Sequence, residues 1–322
     1  MSFWDHFLPY HVRRHLLPYQ FENIWRQIKP HRYEYRRDPI QQLRYALADH
    51  YHPPVPYEAL LRGRLPKYYR YRHFTISKKD GTRREIAEPG VDLKKMQYRI
   101  IEQYLKREKP HRTAIAYQKG KSIADHAWAH AGAHTVITAD MQDFFPSTTR
   151  YRVRQFWREQ TLYAGRPQFN DTEVQLLTNL TTYRGALPQG APTSPVLSNL
   201  VNRELDARLH KLVTQSGGRY TRYADDMVFS WQTRSRPPTD FEFTVRRMLR
   251  EYGYTLHPHK GWQVWSRRDE PEFTGVVLTR DGGVDVPEPM RKRIRELERS
   301  SDETDHLQLA GYNGYRQMVQ RT

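Results

Sequence analysis

Two neighbouring aspartates stand in the run Tyr223-Ala224-Asp225-Asp226-Met227-Val228-Phe229. Adjacent acids inside an apolar, strand-like stretch are costly unless something positive binds them. At a hairpin tip they project together and suit a hard divalent cation such as Mg²⁺. Alone, the pair reads as a solvated turn. Asp140 changes that balance. It ends the strand-like run Thr135–Ala139, and a two-residue period puts Val136, Thr138 and Asp140 on one face. An acid at a strand end with two at a hairpin tip is the arrangement that holds two metal ions about 4 Å apart. One ion lowers the pKa of an attacking hydroxyl, and the other stabilises a leaving pyrophosphate oxygen. Asp143 lies close by and reads better as a helix cap or ion-pair partner.

The elements that must position these acids follow from periodicity. Short amphipathic helices are predicted around Phe21–Ile28 and Ile40–Leu47, within a stretch cut by prolines. Residues 71–88 predict a hairpin turning at Asp80-Gly81. Helices are predicted over Leu93–Lys106, Ser122–Ala133, Arg150–Arg158, Thr172–Thr181, Leu197–Val213 and Phe241–Tyr252. Two strands flank Asp225-Asp226 within Arg219–Ser230, and further strands are expected at Gly261–Trp265 and Phe273–Leu278. Pro289–Ser300 and His306–Gln320 close the chain as helices.

Charge supplies a partner class. The 322 residues carry 53 Lys and Arg against 36 Asp and Glu, a formal +17, with 13% aromatics and no cysteine. Disordered basic chains are poor in aromatics, so a folded protein with a positive surface is expected. Lys and Arg take phosphates and rings stack on bases, which points to nucleic acid. The missing cysteines exclude disulfides, thiolate zinc sites and a cysteine nucleophile. The absence of a long apolar run, or of an apolar leader after Met1, predicts a cytoplasmic protein without membrane spans. His126, His130 and His134 fall at i, i+4 and i+8, which invites a zinc reading. No Glu lies between the first two, and Gly132 should end the helix first, so surface or RNA-contacting histidines are the preferred reading.

At this point three boxes, in order, become recognisable. Tyr223-Ala224-Asp225-Asp226 resembles the catalytic box of reverse transcriptases. Asp140-Met141-Gln142-Asp143-Phe144-Phe145-Pro146-Ser147 resembles their first catalytic motif, and Leu187-Pro188-Gln189-Gly190-Ala191-Pro192-Thr193-Ser194 their loop beneath the nascent base pair. Phe273-Thr274-Gly275 is similar to an element after the Asp-Asp box of bacterial retron reverse transcriptases. His126-Ala127-Trp128-Ala129-His130 is similar to their Asn-Ala-x-x-His element, with His126 in place of Asn.

The resemblance implies an α+β right-hand polymerase. Residues 1–133 would be fingers with an N-terminal helical extension. Residues 134–284 would be a ferredoxin-like antiparallel palm with helices on one face, and 285–322 a short helical thumb. It implies that Asp140 and Asp225 bridge two Mg²⁺, with Asp226 assisting and the Met141 carbonyl a ligand. Lys260 would act near the pyrophosphate as general acid or counter-charge. Lys79 and Arg84 of the fingers hairpin would hold the triphosphate. Phe145 would gate the sugar, and Gln189 and Gly190 would line the nucleotide pocket. Arg291, Lys292, Arg293, Arg295 and His130 would contact RNA or DNA. The retron resemblance further implies a cognate structured noncoding RNA as template and primer, an RNA-linked DNA product, deoxynucleotide triphosphates as substrates, and a separate effector in phage defence. Group II intron, CRISPR-associated and diversity-generating reverse transcriptases are the rival enzymes, and a non-catalytic RNA-binding palm is the rival outside enzymology.

Overall fold

A computed structural model of the chain describes residues 40–47, 55–77, 81, 83–160, 168–232, 235–258, 261–300 and 302–320. The helix expected near Phe21–Ile28, and Lys79, Asp80 and Lys260, lie outside the described residues.

The described chain opens with helices α1 (Gln41–Leu47) and α2 (Tyr57–Leu61). The antiparallel hairpin β1 (Tyr71–Ser77) and β2 (Arg83–Pro89) follows, in register from Tyr71↔Pro89 to Ser77↔Arg83. Both of its faces are largely exposed, so the ribbon stands out from the core. Helix α3 (Val91–Ile100) continues into one π-helical turn at Ile101–Leu105. Next come α4 (Ile123–Trp128), β3 (Thr135–Asp140), the single turn α5 (Phe144–Ser147), α6 (Arg150–Glu159) and α7 (Asp171–Thr181). Ser122 with Asp125 opens α4, and Asn170 with Glu173 opens α7, each as a reciprocal capping box.

Helix α4 is shorter than expected. It ends at Trp128, and the chain turns through Gly132 at φ 72°. The helix expected over Leu197–Val213 is two, α8 (Thr193–Val201) and α9 (Arg203–Gln215). The break sits at Asn202 (φ −96°, ψ 9°), whose amide donates to the Tyr254 hydroxyl (2.9 Å) and the Ser198 carbonyl (2.8 Å). Arg152 donates to its side-chain oxygen (2.8 Å). The two bonds to distant Tyr254 and Arg152 override a continuous apolar period.

Strands β4 (Arg219–Tyr223) and β5 (Asp226–Trp231), helix α10 (Phe241–Glu251) and β6 (Gln263–Ser266) complete the main sheet, in the order β4-β5-β3-β6 and antiparallel throughout. With α9 and α10 as its crossovers, β3 to β6 form the expected β-α-β-β-α-β, ferredoxin-like unit. The strand expected at Phe273–Leu278 is a tight hairpin, β7 (Glu272–Phe273) and β8 (Val276–Leu278), turning on Thr274 (φ 51°) and Gly275 (φ 79°). Strand β9 (Val284–Asp285) extends it to three strands, and α11 (Glu288–Leu297) and α12 (Glu303–Gln320) follow. No helix among the described residues is long and apolar enough to cross a membrane.

Alternation along the sheet feeds two cores. Ile137, Ala139, Met227, Phe229 and Trp231 pack with Leu205, Leu209, Val245 and Leu249 of α9 and α10. Val136 and Val228 face the other way and pack with Ala127, Phe273, Val276, Ile294 and Val319. Helices on one face only was therefore too simple an expectation. The second face is covered by α4, the small sheet, α11 and α12, because its apolar residues must also leave water. A third core joins α1 to α3 with α6 to α8 through Leu43, Leu60, Leu93, Trp157, Leu177 and Leu197.

Candidate active site

Asp140 is the last residue of β3 and lies directly opposite Asp226, the first residue of β5. Tyr223 pairs with Asp226 across β4 and β5, so Ala224 and Asp225 form a two-residue turn between them. Ala224 adopts φ 58°, the left-handed conformation that such turns demand. The Met141 amide donates to the Asp225 carbonyl (3.1 Å), and the His257 amide donates to the Asp140 carbonyl (2.9 Å). The three acids are thus tied to one another through backbone at the sheet end. Residues directly opposite in an antiparallel pair have Cα atoms about 4.5–5.5 Å apart, within reach of a shared cation.

The acids divide two clefts. Asp225 lines one of about 500 Å³ with Arg83, Arg84, Tyr117, Asp143, Phe144, Phe145 and Gln189. Asp140 and Asp226 line one of about 260 Å³ with Thr138, Gln263, Glu272 and Phe273. Among the described residues, no three acid or imidazole side chains converge as a preformed metal cage. The donor set nonetheless fits a hard divalent ion, because paired carboxylate oxygens are its preferred ligands.

In the larger cleft Arg84 is exposed on β2. Phe145 is half-buried, 5.5 Å from the Phe144 ring and 6.4 Å from Tyr117. Phe144 is buried and stacks on Tyr254 at 5.7 Å. Gln189 lines the cleft, and its carbonyl accepts the Ala87 amide of β2 (2.8 Å). Gly190 has φ 121°, and a Cβ there would lie 2.8 Å from Ile86 Cγ2. The close approach that requires glycine is therefore to β2. Asp143 occupies the N-cap position of α5 without a side-chain cap bond, and its side chain lines the cleft.

Residues 76–278 match the model of the family described as reverse transcriptase (RNA-dependent DNA polymerase), a span holding all three acids and the Gln189-Gly190 loop. The chain belongs to that family. The expected resemblance to retron reverse transcriptases is borne out among curated relatives. Retron Mx162 reverse transcriptase of Myxococcus xanthus is 34% identical over 241 residues, 67% of this chain and 48% of that protein. Retron Ec86 reverse transcriptase of Escherichia coli is 30% identical over 66% of this chain and 64% of that protein. Retron Ec73 reverse transcriptase, also of E. coli, is 29% identical over 76% and 81%. The chain thus spans about half the length of the first and just under two thirds of the second. Telomerase structures show a partial likeness: that of apo Candida tropicalis telomerase truncated from its C-terminal domain has 11% identity and a TM-score of 0.47, over 69% of this chain and 56% of that one. The α+β, right-hand polymerase fold expected for a reverse transcriptase agrees with the sheet order above.

Two groups of sequence-predicted residues sit elsewhere. His130 is fully buried, and its ring nitrogens share hydrogen bonds with Ser230 Oγ and Thr221 Oγ1, both at 2.7 Å. A ring with no exposed surface cannot touch nucleic acid, so His130 is a core residue and not the expected RNA or DNA contact. His126 is buried beside it and bonded to Thr221 Oγ1 (2.7 Å), while His134 lies exposed beyond the helix end. Burial pushes the His126 imidazole down to about 3 and His130 well below its ordinary range. The second group is on α11. Arg291 pairs with Glu288 (2.9 Å) and Glu270 (3.7 Å), Arg293 with Glu296 (3.6 Å) and Asp305 (3.8 Å), and Arg295 with Glu288 (2.5 Å). Lys292 is exposed. The pairs of Arg293 and Arg295 are exposed, and pairs of that kind are worth about 0–1 kcal/mol, so a phosphate can replace the acid there.

Sequence reasoning missed Tyr117, Tyr183 and His73 in the larger cleft and Glu272 in the smaller. Tyr117 stands at φ 62°, a conformation that only the folded backbone reveals.

Proposed function

We propose that the chain is an RNA-directed DNA polymerase of retron type. It copies a cognate structured noncoding RNA into single-stranded DNA that stays linked to that RNA. The observation that carries this reading is the register of Asp140 against Asp226, with Asp225 on the connecting turn, beside a cleft lined by Arg83, Arg84 and Phe145. Asp140 and Asp225, assisted by Asp226 and the Met141 carbonyl, would hold two Mg²⁺, which when bound lower the pKa of a primer hydroxyl and neutralise the departing pyrophosphate. Arg84, with Lys79 and Lys260, balances the triphosphate charge. Phe145 stands under the sugar and excludes a ribose 2′-hydroxyl. Gln189 shapes the base-pair pocket from a loop that Gly190 lets lie against β2.

In this reading residues 1–133 are fingers, 134–284 palm and 285–322 thumb, with Arg291, Lys292, Arg293 and Arg295 on the duplex or the bound RNA. Priming from a 2′-hydroxyl of the RNA, a separate effector, a role in phage defence and a cytoplasmic location complete the proposal. The names of its relatives support the retron type.

Replacing both turn acids, Asp225→Asn with Asp226→Asn, should abolish DNA synthesis on an RNA template while leaving RNA binding within about twofold. Continued synthesis would remove the metal assignment, and lost RNA binding would make the acids structural. Phe145→Ala should raise ribonucleotide incorporation relative to deoxynucleotide, measured as a ratio of kcat/KM values. Unchanged sugar selectivity would return Phe145 to the core.

A further inference from the structure

Strand β4 reaches the acidic turn between two buried polar systems, one on each face. Facing α4, Thr221 joins the neutral His126 and His130 pair. Facing α9, Arg222 meets Asp206, and neither side chain has any exposed surface. The guanidinium grips the carboxylate as a fork, Nε to Oδ1 at 2.8 Å and Nη2 to Oδ2 at 2.7 Å. The Tyr220 hydroxyl donates to the same Oδ1 at 2.8 Å. The remaining nitrogen, Nη1, donates to the Ala224 carbonyl at 2.9 Å. The Arg222 backbone is held as firmly, its amide donating to Thr113 O and its carbonyl accepting from Ile115 N, both at 2.7 Å.

Burying both ions carries a large desolvation cost before their attraction is counted, and a well-packed apolar pair would often fill such a place at least as favourably. An apolar side chain could not donate to Ala224. That residue carries a Cβ in the left-handed region, and it immediately precedes Asp225. The guanidinium also lies 5.4 Å over the ring of Phe144, next to Phe145. One buried cation therefore touches both the acidic turn and the segment after Asp140.

We propose that Arg222 is a positioning residue for the acidic turn. It holds the strained Ala224 peptide through its carbonyl and so fixes where Asp225 points, while Asp206 fixes Arg222. This deepens the polymerase reading and rests on it.

The test uses the full chain and single-nucleotide incorporation on an RNA template, with RNA binding and thermal unfolding measured alongside. Arg222→Lys keeps the charge opposite Asp206 but loses the planar fork that reaches Ala224. It should lower kcat at least about tenfold, with nucleotide KM and RNA affinity within about twofold of the parent. Adding Ala224→Gly, which takes the left-handed turn without strain, should recover several-fold of that kcat without raising the unfolding temperature to the parent's. Asp206→Asn, which keeps the shape but removes the anchoring charge, should show the same kcat-selective loss. Either single variant at parental kcat, a kcat that falls only in step with the folded fraction, or no recovery in the double variant would overturn the assignment. A parent chain that incorporates no nucleotide would instead sink the polymerase reading.

Discussion

His126 and His130 illustrate what burial does to a titratable residue. In the folded chain His126 stays neutral down to about pH 3, whereas the free imidazole protonates near its ordinary 6.5. Between those values the unfolded chain binds more protons than the folded one, so stability must fall as pH drops through that window. It is fully present above pH 6.5, and each such histidine contributes a slope of up to about 1.4 kcal/mol per pH unit. Denaturant unfolding at pH 7.5 and pH 5 should therefore show a less stable chain at the lower pH. His126→Asn, whose amide can still bond Thr221 without titrating, should flatten that dependence. An unchanged slope would locate it in other groups. The contrast with the aspartates is physical. Asp140, Asp225 and Asp226 were legible because adjacent carboxylates in apolar strands have few uses. A histidine on a short helix has the same spacing whether it faces RNA or the back of a sheet.

The same lesson operates between elements. The loop before α8 lies against β2 through the bond from Ala87 N to Gln189 O. At Gly190 an added Cβ would lie 2.9 Å from Ala87 O and 2.8 Å from Ile86 Cγ2, and the backbone sits at φ 121°. Gly190→Ala must therefore push the loop off β2 or strain it, at a cost of about 1–3 kcal/mol. Gln189 would retreat with it, so nucleotide KM should rise more than kcat falls. Thermal unfolding and steady-state kinetics check both parts, and a variant with parental stability and KM would mean that the loop has room. The sequence exposed this loop as Gly- and Pro-containing, but not its partner. Helix ends were similarly half-visible. The apolar period across Leu197–Val213 is continuous, and only Tyr254 and Arg152, brought up from elsewhere, break it at Asn202.

For the whole molecule, the +17 charge is unevenly spread. Residues 1–70 carry +6, residues 71–284 carry +11, and residues 285–322 carry none. The ion pairs on α11 match that local neutrality, since its arginines answer acids of their own chain. RNA affinity should accordingly depend mainly on residues 1–284. It should fall steeply with salt, by at least about a hundredfold between roughly 50 and 200 mM if six or more phosphates are contacted. Charge-removing substitutions at Arg291 and Lys292 should change that slope by less than those at Arg83 and Arg84. A slope near zero would point to recognition by shape and stacking instead.

The amino-acid sequence by itself determined the class of chemistry, the family and most of the elements. These depend on residue types and short periods, which are local properties. It determined the acids, the order of the boxes and the β-α-β-β-α-β plan. Tertiary structure alone decided that Asp140 meets Asp226 in register, that Gly190 serves β2, that His130 is interior and that Arg222 reaches Ala224. The first three depend on a partner distant in the chain, 86 residues between Asp140 and Asp226, 103 between Ala87 and Gly190 and 91 between His130 and Thr221, while Arg222 and its near neighbour Ala224 are set by Asp206 on another element. No local pattern encodes which buried group will be waiting there.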